Sequence, residues 1–131
     1  MIEEVELETE ERKEFINITP KIEKIIEQTE KEDGVCHICS PHTTAAITIN
    51  EGDDPDVRTD LTDSLNELVP ELDFKHEEGN SDAHLKCSLV GPTEKVLLED
   101  GEIQLGKWQK IYFCEFDGPR SRKFLVKIMD K

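Results

Sequence analysis

The chain has 131 residues, a formal net charge of −15 and 36% charged residues. Such an acidic chain is poorly suited to nucleic acid or to an anionic membrane surface, because both ligands require a basic protein surface. No apolar run approaches the roughly 18 residues of a membrane span, and the acidic N-terminus lacks the pattern of a signal peptide. We therefore expect one cytoplasmic domain, residues 1–131, that binds neither nucleic acid nor membrane.

The first half of the chain alternates between strand and helix patterns. Apolar residues alternating with glutamates predict one or two strands over residues 5–18. Thr19 followed by proline predicts the N-cap of a helix that ends near residue 33. Two further strands, 35–39 and 44–50, are expected on either side of a short break.

The second half begins with a helix and ends in strands. Asp54, which precedes a proline, is the predicted N-cap of a helix that Pro70 ends. A loop at 71–80 is expected before a short helix that Asn80 and its neighbours cap and that ends near Leu89. The last predicted strands are 93–99, 102–105, 110–116 and 123–129. This pattern predicts a compact α+β domain with mainly antiparallel sheets and two to three helices.

The four cysteines include one C-x-x-C pair, Cys36 and Cys39. The pair falls in a predicted strand, where residues three apart point to opposite faces. Redox pairs instead open a helix, whose dipole lowers the thiol pKa. Cys87 and Cys114 have no partner at this spacing. The sequence therefore favours four structural thiols over a redox or zinc site.

Three short stretches, 40–46, 76–86 and 114–120, concentrate the polar residues that can carry chemistry. Three of the four histidines lie in the first two stretches, among Thr, Asn, Asp, Lys and Gly. The fourth, His37, lies among apolar strand residues and is interpreted as structural. We expect the three stretches to meet at one polar site, because histidine, carboxylate and lysine together can hold a metal or move a proton.

Several roles are open to these residues. Three neutral imidazoles with a free fourth position form a catalytic zinc site or a related one, and the predicted metal ligands are His42, His76 and His84. The predicted catalytic residues are His84, Glu78 and Asp82. The predicted substrate-binding residues are Thr43, Thr44, Asn80, Lys86, Trp108 and Arg120.

For most of these residues a structural role remains an alternative. No H-E-x-x-H is present, so His42 and His84 could equally be structural or bind phosphate beside Lys86. Asp82 could serve only as a helix cap, and Trp108 only as core.

Blocks of sequence around these residues resemble the YjbQ family, also called the secondary thiamine-phosphate synthase family. The matching blocks cover nearly the whole chain in one order: HTTAA at 42–46, NE at 50–51, DPDVR at 54–58, EGNSDAHLK at 78–86, SL at 88–89, GP at 91–92, LGKWQ at 105–109 and CEFDGPR at 114–120. The resemblance implies a compact α+β fold assembled as a homotrimer, with the site near a subunit boundary. It also implies that His42, His76 and His84 occupy the family's recurrent histidine positions.

The activity that the resemblance implies is a weak thiamine-phosphate synthase activity. That reaction joins a pyrimidine methyl diphosphate to a thiazole phosphate and releases diphosphate. We therefore expect a small phosphorylated substrate and a divalent metal ion, zinc or magnesium. Two other functions fit the same residues: a metal-assisted hydrolase of a small phosphate or acyl substrate, and a non-catalytic trimer that binds a small anion or a metal.

Overall fold

The computed structural model describes residues 1–70 and 79–130. Strands and helices in the described part follow one another as β1 (Glu3–Glu8), β2 (Glu14–Asn17), α1 (Thr19–Thr29), β3 (Gly34–Cys39), β4 (Ala45–Glu51), α2 (Pro55–Leu68), α3 (Ser81–Val90), β5 (Thr93–Glu99), β6 (Glu102–Ile103), β7 (Gln109–Glu115) and β8 (Ser121–Met129). No helix in these ranges is long and apolar enough to cross a membrane.

The strands form two antiparallel sheets. One sheet has the order β1-β8-β3-β5-β6 and the other the order β2-β7-β4. Every described strand pair in them is antiparallel. This architecture confirms the α+β class with mainly antiparallel sheets and three helices.

The three-stranded sheet is the middle layer of the fold. Along β7, Ile111 and Phe113 pack into a core shared with the five-stranded sheet and α1. The alternate residues Tyr112 and Cys114 pack on the opposite face with residues from α2 and α3, such as Ala83. Both faces of β7 are therefore buried, and a polar group at its end is held between the two layers.

The start of α2 matches the sequence prediction, the start of α1 differs from it, and the start of α3 matches in position without the predicted capping bond. The Asp54 carboxylate accepts from the backbone N–H of Asp56 at 2.9 Å, as predicted for an N-cap. The N-cap of α1 is Ile18 instead of Thr19, whose hydroxyl accepts from the N–H of Ile111 at 2.7 Å. The N-cap of α3 is Asn80, but it makes no side-chain capping bond. The Thr19 and Asn80 side chains, which the local pattern assigned to caps, instead make tertiary hydrogen bonds with Ile111 and Asp117.

All four cysteines are free thiols. Cys36 faces the core and Cys39 the opposite side of β3, so the C-x-x-C pair cannot act as a unit. Burial raises the pKa of Cys36 to about 11 and raises the pKa of Cys114 further. Such thiols are poor nucleophiles at neutral pH, which supports a structural role.

Candidate functional site

The three polar stretches come together where β7 ends. The N–H of Phe116 donates to the carbonyl of Thr44 at 3.1 Å and joins the third stretch to the first. The Asn80 amide donates to Asp117 Oδ2 at 2.7 Å and joins the second stretch to the third. The Cys87 thiol lies 3.2 Å from the carbonyl oxygen of Ala45 and holds α3 against the start of β4.

A buried ion pair, Glu115–Arg122, lies at the centre of this junction. The Arg122 guanidinium donates to both carboxylate oxygens of Glu115, at 2.8 Å and 2.5 Å, and its Nη2 also donates to Thr44 Oγ1 at 2.8 Å. The Thr9 hydroxyl adds a further donor to Glu115 at 2.8 Å. The pair is almost fully excluded from solvent. It therefore fixes β7, β8 and the start of β4 relative to one another.

Beside the ion pair lies a lysine cluster, made of Lys13, Asn66, Asp82 and Lys86. The ammonium groups of Lys13 and Lys86 both donate to Asn66 Oδ1, at 2.9 Å and 2.5 Å. The second carboxylate oxygen of Asp82 lies 4.0 Å from Lys13 Nζ and 3.9 Å from Lys86 Nζ. Each ammonium carries three N–H donors, and the contacts described use one of them in a hydrogen bond.

Lys86 is the most unusual residue of the cluster. Its side chain is 1% exposed although it carries an ammonium group. Burial, and then the charge of Lys13, lower the pKa of Lys86 to about 8. A lysine tuned this way can release or accept a proton near neutral pH, as an acid–base group must.

Arg12 connects the lysine cluster to the turn that follows β7. Its Nη2 donates to Asp82 Oδ1 at 3.3 Å, and its Nε lies 3.8 Å from Asp117 Oδ1. Gly118 makes this approach possible, because a Cβ at that position would collide with the carbonyl oxygen of Glu11. Arg120 is more exposed and donates to the same Asp117 through its Nη2 at 3.0 Å.

His42 lies between β3 and β4, beside the ion pair. Its Nε2 lies 3.0 Å from the backbone nitrogen of Lys123 and 3.1 Å from the carbonyl oxygen of the same residue. Its ring meets Phe113 edge-on at 6.4 Å between centroids. Burial and the nearby Arg122 lower the pKa of His42, so the imidazole is neutral at physiological pH. In the tautomer whose Nε2–H donates to the Lys123 carbonyl, Nδ1 is the unprotonated ring nitrogen left for another partner.

A groove of about 430 Å³ opens beside the lysine cluster, between the β1–β2 connection and α2. Lys13, Phe15 and Thr62 line this groove and also surround a narrow packing gap that Lys86 and Glu115 line from the inside. The remaining groove residues are Glu10, Glu11, Glu14, Pro55, Arg58, Thr59 and Asp63. Lys13 thus stands between the open groove and the buried Lys86.

The structure brings some predicted site residues to this junction and leaves others outside it. Those at or beside the junction are His42, Thr43, Thr44, Asn80, Asp82, Lys86 and Arg120, whereas His84 is placed only on α3, between Asp82 and Lys86. Trp108 is half exposed and precedes β7, whereas the site lies at the strand's other end, about 20 Å away at the usual rise per residue. Within one chain it is therefore not part of the junction.

The predicted metal ligands, and the alternative role of Asp82 as a helix cap, can be compared with the structure. His76 and Glu78 lie outside the described residues. Among residues 1–70 and 79–130, no group of three or more His, Cys, Asp or Glu is arranged to hold a metal ion. Asp82 does not cap α3, since its fully buried carboxylate is turned towards Arg12 and the lysines.

Sequence reasoning missed four residues of the junction, Arg12, Lys13, Asn66 and Arg122, and assigned no role to Glu115 although it lies in the third predicted stretch. Lys13 and Asn66 lie in a charged connection and on an amphipathic helix, where surface exposure is the ordinary expectation. Arg122 carried one usable signal, because it alternates with Phe124 and Val126 on the inward face of β8. A charge on that face needs a buried partner.

The fold and the junction together define a small α+β protein with a buried polar site. Sequence comparison relates the whole chain to known proteins. The model of the family described as UPF0047 protein YjbQ-like matches residues 3–131. A UPF0047 protein of Methanocaldococcus jannaschii is 48% identical over 98% of this chain and 94% of its own length. YugU of Bacillus subtilis is 46% identical over 98% and 99%. The chain belongs to the YjbQ/UPF0047 family.

A solved structure agrees with this assignment. An uncharacterised YjbQ/UPF0047 protein of Clostridium acetobutylicum superposes with a TM-score of 0.95, at 47% identity, over 97% of this chain and 99% of that one. The hypothetical protein APE1520 of Aeropyrum pernix superposes with a TM-score of 0.94 at 30% identity. The fold is therefore that of the family.

Proposed function

We propose that this protein is an enzyme that acts on a small phosphorylated substrate at the lysine cluster, as a transferase of the thiamine-phosphate synthase type. The observation that carries the proposal is a local excess of positive charge in a chain whose net charge is −15. Among the described residues, the ammonium groups of Lys13 and Lys86 both lie within 4.0 Å of one carboxylate oxygen, Asp82 Oδ2, and both donate to one acceptor, Asn66 Oδ1. An anionic ligand would balance that excess.

The charge excess suits a reaction in which diphosphate departs. In the proposed transfer, the C–O bond between the pyrimidine methyl group and diphosphate breaks, and diphosphate leaves with the electron pair. The thiazole nitrogen then forms the new C–N bond with that carbon. Lys13 and Lys86 would stabilise the negative charge that grows on the leaving oxygens. Lys86, with its pKa of about 8, can also donate a proton to the departing group.

The groove gives the rest of the substrate a place to bind. It reaches Lys13 from outside, so a phosphate group can contact the ammonium while its ring stays in the groove. The buried ion pair keeps the strands behind the cluster fixed, which such positioning requires.

The proposal has two further parts, a bound metal ion and a homotrimer, and both involve groups outside the described residues of one chain. A divalent metal ion, zinc or magnesium, would be held by His42, His84 and His76. His42 fits such a role in part, as a neutral imidazole whose Nδ1 is unprotonated when Nε2–H donates to the Lys123 carbonyl, but we assign no chemical step to the ion. Metal content of the purified protein decides this point, and stoichiometric metal lost in His42→Ala would support it.

A homotrimer is also proposed. An apolar hollow of about 220 Å³, lined by residues such as Ile2, Leu125 and Met129, lies on the outer face of the five-stranded sheet. Such a face favours burial against another subunit. The solution mass should be three times the 15.0 kDa of one chain, and a monomer at micromolar concentration would contradict the assembly.

The free thiols are in keeping with the proposed cytoplasmic location.

The test of the proposed reaction uses both substrates and Lys13→Met. The wild-type protein should form thiamine phosphate and release an equal amount of diphosphate. Lys13→Met should lower the rate roughly 10-fold or more, because one charge-assisted contact to the leaving group is lost. Lys24→Met, which removes a charge from an exposed site on α1, is the matched control and should leave the rate unchanged.

Other outcomes separate the alternatives. Release of phosphate from one substrate without the second would indicate a hydrolase. Tight diphosphate binding without turnover would indicate a binding protein. Equal rates in Lys13→Met and wild type would remove the lysine cluster from the reaction.

A further inference from the structure

Arg58 lines the groove without an anionic partner. It is half-buried on α2, the helix that forms one side of the groove. In the described part of the chain its guanidinium makes no ion pair and no hydrogen bond, and its contact is with the ring of Tyr112, 5.8 Å from the ring centre. A partly desolvated guanidinium usually donates to a carboxylate or a phosphate, so its N–H donors remain available for an anionic ligand.

Aromatic side chains hold Arg58 in this position. Tyr112 beneath it is 1% exposed, and its hydroxyl donates to the carbonyl of Glu51 at 3.3 Å. Phe15 meets the same ring edge-on, at 6.2 Å between centroids. A guanidinium over an aromatic face keeps its edge free, and its fork of N–H donors matches the oxygens of a phosphate. Arg58 is therefore prepared to bind an anion in the groove.

Arg58 and Lys13 mark two separate points along the groove. The Lys13 ammonium donates to Asn66 Oδ1 at 2.9 Å. Asn66 follows Arg58 on α2 by about two helical turns, or about 12 Å along the axis. One phosphate group cannot contact both cations across such a distance, because each hydrogen bond needs a separation of about 3 Å. The groove can therefore bind two anionic groups, one at each point.

Carboxylates that line the same groove make a direct contact with Arg58 necessary. They belong to Glu10, Glu11, Glu14 and Asp63. Glu14 is occupied within the protein, because its Oε2 accepts from the N–H groups of Glu10 and Glu11 at 2.7 Å and 2.8 Å. The other three carboxylates repel an anion. An anionic group therefore stays in this groove only where a cation contacts it, and Arg58 is the groove cation outside the lysine cluster.

We infer that Arg58 binds the phosphate of the second substrate, the thiazole phosphate, while Lys13 contacts the diphosphate of the first. This inference rests on the proposed function, which places the diphosphate at the lysine cluster. Phe15 also lines the groove and gives the thiazole ring an apolar surface to pack against. Arg58 then selects the phosphorylated thiazole over its free alcohol, because the alcohol offers the guanidinium no charged acceptor.

The experiment uses calorimetry to titrate thiazole phosphate, and separately the corresponding thiazole alcohol, into protein saturated with diphosphate. We expect the wild type to bind the phosphate roughly 30-fold or more tightly than the alcohol. Arg58→Met should remove most of that preference, and Arg58→Lys should restore only part of it, because an ammonium lacks the planar fork. Lys24→Met, at an exposed position of α1, is the control and should keep the wild-type preference.

Diphosphate titrated alone separates this inference from the proposed function. If Arg58→Met still binds diphosphate but has lost the preference for thiazole phosphate, both are supported. If diphosphate binds but the wild type shows no preference, or Arg58→Met keeps it, the inference is wrong while the anion site stands. If the wild type does not bind diphosphate, both are wrong. Should Arg58→Met fail to fold, Arg58→Lys decides, and a full wild-type preference in that variant contradicts the inference.

Discussion

Replacing Arg122 by methionine is expected to lower the free energy of unfolding by about 3–5 kcal/mol. Methionine replaces the aliphatic part of the arginine side chain but not its guanidinium group. The carboxylate of Glu115 is therefore left buried and without its cationic partner. The Thr9 hydroxyl and the N–H of Asp117 remain as donors to that carboxylate, but neither carries a compensating charge. Urea unfolding monitored by circular dichroism measures the loss.

Two further variants show whether the uncompensated charge is the cause. Lys24→Met removes one positive charge from an exposed position of α1 and should change stability by no more than about 0.5 kcal/mol. Glu115→Gln combined with Arg122→Met removes both charges and should be less damaging than Arg122→Met alone. If the double variant is the less stable of the two, the loss comes from packing and our account of the pair is wrong.

The sequence predicted the order of the elements because local patterns carry that information. The start of α2 is an example, since Asp54 and the following proline need no tertiary partner to begin a helix. Thr19 shows the limit of such patterns. Thr19, which is also followed by proline, was predicted to cap α1, but its hydroxyl accepts from the N–H of Ile111 in β7. That contact joins residues 92 apart in the chain, and no local pattern contains it.

The site was predictable where it is made of unusual residues and unpredictable where it is made of ordinary ones. The polar stretches around His42, Asn80 and Asp117 stood out and do meet in the fold. Lys13 and Asn66 gave no signal, because a lysine and an asparagine in polar surroundings are normally solvated. Their role arises only from the packing of α2 against β2, which places both beside the buried Lys86.

Lys86→Met is expected to weaken diphosphate binding on the order of 100-fold without destabilising the fold at pH 7. Methionine matches the apolar length of lysine and removes an ammonium group whose burial the protein does not favour, as the pKa of about 8 indicates. The charge of Asp82 keeps Arg12 and Lys13 as partners. Calorimetric titration with diphosphate measures binding, and urea unfolding at pH 7 measures stability.

The pH dependence of stability provides a second measurement of the same residue. Since the pKa of Lys86 is about 8 in the fold and 10.5 in a model peptide, the unfolded chain binds more protons at this residue between those values. The lysine therefore makes the wild-type protein gain stability as pH rises from about 8 to 10.5, a gain that Lys86→Met should lack.

The comparison of the two proteins isolates Lys86 from the other groups that titrate in this range. Burial raises the pKa of Cys36, Cys87 and Tyr112, so these groups make stability fall as pH rises, but both proteins contain them. Parallel stability curves for wild type and Lys86→Met would show that the lysine is not held with a lowered pKa. If Lys86→Met instead loses diphosphate binding while its stability is unchanged or increased, the fold does not require the lysine. The buried charge would then be retained because it binds the ligand.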